Sequence, residues 1–344
     1  MRRLVVNLND ARPVWTMPEW AVREIRAALP AEWAVVVVAA AADGRGDGGG
    51  PSAEALDAVR GAEVYLGYGF PPALWHAASA PPARLRWVHS AAAGVGASLY
   101  PEMRASPVRL TNSAGVHAVP MAESVLAMIL HFARGLDLAV RAQAERRWDK
   151  APFEAADSPL RELGESTLGV VGLGGIGREV ARRAHALGMR VLAVKRRPAE
   201  PPAGVELRTG EGALEWLLAE SDFVLLALPE TATTRTLIGA AELALMRPGA
   251  VLLNVGRGKV VDEAALADAL RVGRLRGAGL DVFAREPLPP ESPLWALPSV
   301  LVTPHVSATS RRFWRRQTDL IVENLRRYLA GEPLLNVVDK DAGY

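Results

Sequence analysis

Arg257, Glu286 and His305 are the three side chains of this sequence whose types suit one reaction. They stand in Asn254-Val-Gly-Arg257-Gly, Glu286-Pro287 and Thr303-Pro304-His305, each just after a short apolar run. A guanidinium grips a carboxylate through paired hydrogen bonds and polarises an adjacent ketone oxygen. A histidine titrates near neutrality and can give a proton to an oxygen that is gaining negative charge. A carboxylate beside the ring holds it and favours its protonated form. The set suits hydride transfer to the carbonyl of a small 2-keto acid. Alone, each residue has a plainer reading as a surface arginine, a solvated glutamate or a turn histidine. Their shared position at strand ends weakens all three plainer readings.

A hydride needs a donor. Gly172-Leu-Gly174-Gly175-Ile176-Gly177 matches G-x-G-x-x-G. In such a motif the first glycine permits a tight turn and the second lets backbone approach a pyrophosphate. The third lets helix and strand pack closely. The helix start then offers unpaired N–H groups to phosphate. With 31 glycines in the chain one match says little. This one follows an apolar run and opens a helical stretch, which is the required setting. At the end of the next strand, NAD enzymes place an acid for the ribose 2′-hydroxyl. Here stand Lys195, Arg196 and Arg197. Three cations and no acid suit the 2′-phosphate of NADP, so NADP(H) is favoured over NAD(H). The competing reading is a solvated basic turn.

The elements that must hold these residues follow from apolar patterning. Near-continuous apolar runs at 167–171, 190–195, 223–228, 250–255, 277–282 and 300–303 read as strands of a parallel sheet covered on both faces. Helical stretches separate them, such as Arg178 to Leu187, closed by Gly188. Regular alternation predicts a doubly wound α/β domain, whose ligands bind beyond the carboxyl ends of the strands. Residues 1–112 also alternate, with runs at Leu4 to Leu8, Val35 to Ala40, Val64 to Leu66 and Trp87-Val88, and a helix over Ala53 to Arg60. Asp43 to Gly50 reads as a glycine-rich loop; an adhesion role for its Arg45-Gly46-Asp47 is set aside. Pro120 to Leu136 predicts a helix, apolar almost all round and hence buried between domains. Residues 143–163 read as a long polar connection, and about 311–330 as a final amphipathic helix ending at Gly331. The expectation is two domains: 113–308 for the dinucleotide, and 1–112 with 309–344 for the substrate.

Composition narrows the classes. A chain of 344 residues exceeds one ordinary core. A net charge of +2 gives no strong field for nucleic acid. Zero cysteines excludes disulfides, thiolate metal sites and a cysteine nucleophile. Histidines and acids show no metal-ligand spacing. No apolar run has membrane-spanning length. Met1-Arg2-Arg3-Leu4 starts like a signal peptide, but Asn7, Asn9, Asp10 and Arg12 interrupt it, so a cytoplasmic location is expected. Arg311-Arg312-Phe313-Trp314-Arg315-Arg316 reads as a charged helix face over packed aromatics rather than a nucleic-acid patch. His131 and His185 read as structural. His89 and His117 flank loops near 91–96 and 112–115 and are secondary candidates for the substrate cleft. Trp87, Tyr68, Tyr100 and Trp314 are candidate pocket walls, with core packing the competing role.

The ordered motifs together resemble the D-isomer-specific 2-hydroxyacid dehydrogenases. They run from Thr111-Asn-Ser-Ala-Gly-Val-His117 through Gly172 to Gly177, Leu228-Pro229 with Thr233-Thr234, Asn254 to Gly258, and Gly279-Leu-Asp281-Val-Phe283 with Glu286-Pro287, to Thr303-Pro304-His305. The resemblance implies a Rossmann-type cofactor domain and a smaller flavodoxin-like substrate domain on hinges near 113 and 308. It implies the catalytic roles of Arg257, Glu286 and His305. It adds Leu228, Pro229, Thr233, Val255 and Asp281 to the cofactor-binding residues, with Asp281 acting from behind the residues nearest the nicotinamide. It implies that backbone N–H groups around Ala92, Ala93, Gly94 and Val95 help Arg257 bind the substrate carboxylate. It also implies homodimers, with residues 136–163 contributing. Two departures matter. Lys195 to Arg197 replaces the family's usual acid and points to NADPH and reduction. The end at Tyr344 leaves no room for the regulatory domains of some phosphoglycerate dehydrogenases. Glyoxylate or hydroxypyruvate reductases are the nearest subgroup on this reasoning. The alternatives are a phosphite or formate dehydrogenase of the same fold, and a non-catalytic NAD(P)-sensing protein like the related corepressors.

Overall fold

The computed structural model describes residues 1–41 and 50–343. The loop read at Asp43 to Gly50, with its Arg45-Gly46-Asp47, lies outside the described residues except for Gly50. The chain forms two compact units, Met1–His117 with Thr309–Tyr344, and Ala118–Ala308.

The first unit is built on five strands: β1 (Arg2–Asn7), β2 (Trp33–Val37), β3 (Val64–Gly67), β4 (Trp87–Ser90) and β5 (Arg109–Thr111). All pair in parallel in the order β2-β1-β3-β4-β5, the flavodoxin-like order. Side chains alternate across the sheet as strand geometry requires. Leu4, Val6, Leu66 and Trp87 pack on one face against Phe313, Ile321 and Leu325 of the helix Phe313–Ala330. Val5, Tyr65, Val88 and Leu110 pack on the other with Phe70, Leu74 and Met103. The final helix therefore completes the unit that starts the chain.

The second unit carries β6 (Thr167–Val171), β7 (Arg190–Val194), β8 (Val205–Arg208), β9 (Phe223–Leu226), β10 (Val251–Asn254), β11 (Gly277–Leu280) and β12 (Val300–Val302). Their order is β12-β11-β10-β9-β6-β7-β8, parallel throughout. Chain direction across the sheet reverses beside β6, between β7 and β9. That reversal opens the crevice that binds ligands in doubly wound folds.

Two expectations need correction. Val205–Arg208 forms a strand that the apolar runs do not show. It is an edge strand on which only Val205 is buried, so it lacks the continuous apolar signature. The helix expected over 120–136 spans Ala118–Ala133 and stops before Gly135, which adopts φ 65°. A second helix, Leu136–Ala144, starts at the last residue of that expected helix and runs into the first two residues of the connection read at 143–163, where Ala151–Glu154 adds one turn. The helix Ala118–Ala133 buries Met121, Ala122, Val125 and Ile129 in a core shared with Val180, Ala181 and Ala184 of the helix Gly175–Ala186. Among the described residues no helix is long and apolar enough to cross a membrane.

Candidate active site

The glycine motif leaves β6 and enters the helix Gly175–Ala186. Its three glycines are needed for three different reasons. Gly172 has φ 102°, and a Cβ there would stand 2.6 Å from the Ala227 carbonyl oxygen. A Cβ on Gly177 would fall 2.1 Å from the Gly172 carbonyl oxygen, so helix and strand touch here. A Cβ on Gly174 would meet no protein atom within 4 Å. The protein itself does not require that glycine; a ligand approaching the backbone would. The N–H groups of Gly175, Ile176 and Gly177 belong to the first turn, where no intrahelical acceptor exists. They suit a pyrophosphate, and these residues fit a dinucleotide.

Around this crevice lie the other residues assigned to the cofactor. Val194 ends β7, and its carbonyl accepts from the Gly172 N–H at 3.0 Å. Lys195, Arg196 and Arg197 follow at once, the two arginines exposed. The Arg178 guanidinium in the first turn of the helix donates to the Glu200 carbonyl at 2.7 Å, tying helix start to basic loop. Leu228 and Pro229 follow β9, and Thr234 Oγ1 donates to the Pro229 carbonyl at 2.7 Å. Thr233 lies in the same turn, where its hydroxyl is 3.1 Å from Thr231 Oγ1. Val255 is buried directly after β10.

A buried amide sets the arginine. Asn254 ends β10 at 1 % exposure. Its Oδ1 accepts from the Gly256 N–H at 3.0 Å and its Nδ2 donates to the Arg257 carbonyl at 3.1 Å. The turn that presents Arg257 is thus fixed from below. A Cβ on Gly258 would stand 1.8 Å from the Phe283 carbonyl carbon, so this turn rests on the segment leading to Glu286. The guanidinium spends one donor on the Gly256 carbonyl, Nη1 to oxygen 2.8 Å. Its remaining donors have no partner among the described residues.

A buried carboxylate sets the histidine. Asp281 follows β11 with no exposed surface. Its Oδ1 accepts from Thr303 Oγ1 at 2.5 Å and from the Val306 N–H at 3.0 Å; its Oδ2 accepts from the Ser307 N–H at 3.0 Å. These bonds bracket His305, whose φ of 53° is left-handed. For a non-glycine residue that conformation costs roughly 1–2 kcal/mol. Such strain persists only where the surroundings over-determine it. The three bonds to Asp281 do so.

His305 Nδ1 donates to Glu286 Oε2 at 2.7 Å, and Glu286 Oε1 accepts from the Phe283 N–H at 2.9 Å. The hydrogen bond to Glu286 raises the His305 pKa above the ordinary value; partial burial opposes it, and the charges of Glu286 and Asp281 add to it. Burial alone would raise the pKa of Glu286, but the bonds from His305 and Phe283 win and hold it below the usual carboxylate range. The imidazole side chain is half exposed. Its Nε2 has no partner among the described residues, so the proton it carries is available to a ligand.

The secondary candidates fall elsewhere. His89 is fully buried in the first unit, against Thr111, Ser113 and Gln317, and desolvation pushes its pKa down to about 3. His117 stacks on Phe313, with centroids 5.2 Å apart. His131 packs edge-on against Phe132, and His185 lies against Gly204. Trp87 is in the core and donates to Thr111, Tyr68 donates to the Trp15 carbonyl, and Trp314 donates to the Val14 carbonyl. Ala92 to Val95 follow β4, with Ala93 exposed and Val95 buried.

Residues 126–307 match the family model described as D-isomer specific 2-hydroxyacid dehydrogenase, NAD binding domain. The chain belongs to this dehydrogenase family. A glyoxylate reductase of Korarchaeum cryptofilum is 39% identical over 68% of this chain and 70% of its own length. A D-isomer specific 2-hydroxyacid dehydrogenase from Xanthobacter autotrophicus Py2, solved with NADPH and MES, is similar with a TM-score of 0.80. It is 34% identical, and the match covers 100% of this chain and 99% of that one. An NADPH-dependent glyoxylate/hydroxypyruvate reductase from Sinorhizobium meliloti, solved with NADP and sulfate, gives a TM-score of 0.78 at 29% identity and full coverage of both chains. Within this dehydrogenase the motifs quoted from the sequence contain Asn254 and Asp281, but not what these residues do. Their role in pinning the Arg257 and His305 turns is visible only as hydrogen bonds.

Proposed function

We propose that this protein reduces a small 2-keto acid, such as glyoxylate or hydroxypyruvate, to the D-2-hydroxy acid with NADPH. The observation that carries the reading is the 2.7 Å contact between His305 Nδ1 and Glu286 Oε2. It favours the charged imidazole and leaves Nε2 to give a proton, which reduction of a carbonyl needs and oxidation of formate does not. Phosphite oxidation is less well served by a proton donor, and a non-catalytic sensor has no need of one.

When bound, the dinucleotide supplies the hydride. Arg257 holds the substrate carboxylate and draws electron density from the ketone oxygen. N–H groups of residues 92–95 share that carboxylate. His305 gives its Nε2 proton to the forming alkoxide, and Glu286 keeps the resulting neutral ring oriented through Nδ1–H. Gly174 to Gly177 take the pyrophosphate, and Lys195, Arg196 and Arg197 take a 2′-phosphate. The NADPH and NADP named in the solved relatives support that choice of cofactor. Asp281 contributes to the cofactor site from behind the 303–307 turn. The units move on hinges near 113 and 308. The exposed apolar residues Leu136, Val140 and Trp148 support a homodimer that covers this stretch.

Replacing His305 with Ala should lower kcat for glyoxylate by about 10²–10⁴-fold with the NADPH Kd unchanged. Turnover close to wild type would remove His305 from the reaction.

A further inference from the structure

We propose that Asn112 and Ser113 are positioning residues that fix the direction of two backbone N–H groups, those of Ala93 and Gly94, and thereby set affinity for the substrate carboxylate. This rests on the reading of residues 92–95 as part of the carboxylate seat.

Three consecutive contacts carry it. Ser113 Oγ donates to the Ser90 carbonyl at 2.9 Å. The Ser113 backbone N–H donates to the Ala92 carbonyl at 3.1 Å. Asn112 Nδ2 donates to the Ala93 carbonyl at 2.8 Å. A trans peptide is planar, with its N–H opposed to its C=O. Holding the Ala92 carbonyl therefore aims the Ala93 N–H away from the clamp. Holding the Ala93 carbonyl aims the Gly94 N–H away in the same manner. Neither N–H donates to an acceptor among the described residues. Two successive N–H groups turned outward form a concave anion seat of the kind made by backbone nests.

The clamp is itself buried and bonded on both sides. Asn112 is 5 % exposed and Ser113 fully buried. Asn112 Oδ1 accepts from the Ala114 N–H at 3.1 Å, and its backbone exchanges bonds with Asn336, whose carbonyl accepts at 3.1 Å and whose Nδ2 donates at 3.2 Å. Ser113 Oγ also lies 3.4 Å from Nε2 of the buried, neutral His89. Nothing in the clamp titrates near neutral pH, so its loss must leave the pH profile of the reaction in place.

The test uses the full-length enzyme with NADPH, glyoxylate, and oxalate as a non-reacting dicarboxylate. Asn112→Ala removes the bond to the Ala93 carbonyl together with the one from the Ala114 N–H, whereas Ser113→Ala removes the bond to the Ser90 carbonyl and keeps the backbone N–H on the Ala92 carbonyl. In Asn112→Ala the glyoxylate KM and the oxalate Kd on the enzyme–NADP complex should rise about three- to tenfold together, and in Ser113→Ala, which keeps the bond to Ala92, they should rise together by less. The NADPH KM, the pH profile and, to within about twofold, kcat should not move. Unchanged KM and Kd in both variants would overturn the clamp while wild-type turnover kept the reductase reading intact. Equal losses in NADPH and glyoxylate affinity would show a general folding role and also overturn it. A wild-type enzyme that neither reduces glyoxylate nor binds oxalate would refute the carboxylate seat, and the clamp with it.

Discussion

Replacing Glu286 with Gln keeps size and shape but removes the charge that His305 leans on. Glu286 accepts two N–H donors, one from Phe283 and one from His305. Glutamine has one oxygen. The Phe283 N–H is backbone and cannot turn away, so the oxygen stays with it. The new NH2 then faces Nδ1, which must become an acceptor, and the ring is left neutral with its proton on Nε2. A charge-assisted hydrogen bond is worth about 1.5–3 kcal/mol. With the imidazole half exposed, about half of that survives screening, roughly 0.8–1.5 kcal/mol. This is a change of about four- to thirteenfold in the ratio of charged to neutral ring. The new donor adds to it by favouring the neutral form. Glyoxylate reduction at neutral pH should fall about 10- to 100-fold, less than for complete loss of the acid. The sign of the pH effect is fixed. A raised His305 pKa means the proton donor is loaded at low pH and lost as pH rises through that pKa. In Glu286→Gln the falling limb of kcat/KM must move to lower pH. Rates measured from about pH 5 to about pH 9 cover the range in which a histidine titrates. A limb that stays where wild type has it would refute the pairing as the source of the proton donor. The same pair stabilises the folded protein between two limits. The Glu286 contribution, present above its ordinary range, is lost as pH falls through its lowered pKa. The His305 contribution, full below its ordinary range, is lost as pH rises through its raised one.

Gly174→Ala should leave Tm unchanged and raise the NADPH KM steeply, because its Cβ meets no protein atom. Gly177→Ala should lower Tm as well, since its Cβ falls 2.1 Å from a carbonyl oxygen; paired melting and kinetic runs separate the two. Replacing both Arg196 and Arg197 with Ala should weaken NADPH by about ten- to a hundredfold and leave NADH nearly unaffected, and the NADPH KM should lose much of its salt dependence.

Much of this is legible in the amino-acid sequence. Five of the seven strands of the second unit are nearly continuous apolar runs buried between helices, and the edge strand Val300–Val302 shows in the sequence because its residues are apolar though only half-buried. The seventh, Val205–Arg208, is an edge strand with one buried residue, and edge strands carry a fainter pattern. The stop at Gly135 is hidden because Leu136, exposed in the fold, continues the apolar run. Arg257, Glu286 and His305 are recognisable because their side-chain types, each just after an apolar run, suit one reaction. Asn254 and Asn112 are not, since an asparagine near a glycine reads as an ordinary turn, and Asp281 is singled out only by the family resemblance. Only hydrogen-bond geometry shows that each holds one turn in place. His89 was a reasonable candidate by position, yet it is sealed in the first unit and neutral.

The most direct test of the central claim is the initial rate at 340 nm with glyoxylate, hydroxypyruvate, pyruvate and a bulky aromatic keto acid, each with NADPH and with NADH. Rapid oxidation of NADPH by the small acids, with NADH slower, is the expected result. Faster turnover with NADH would contradict the role of Lys195 to Arg197, and no turnover with any pair would contradict the reductase itself.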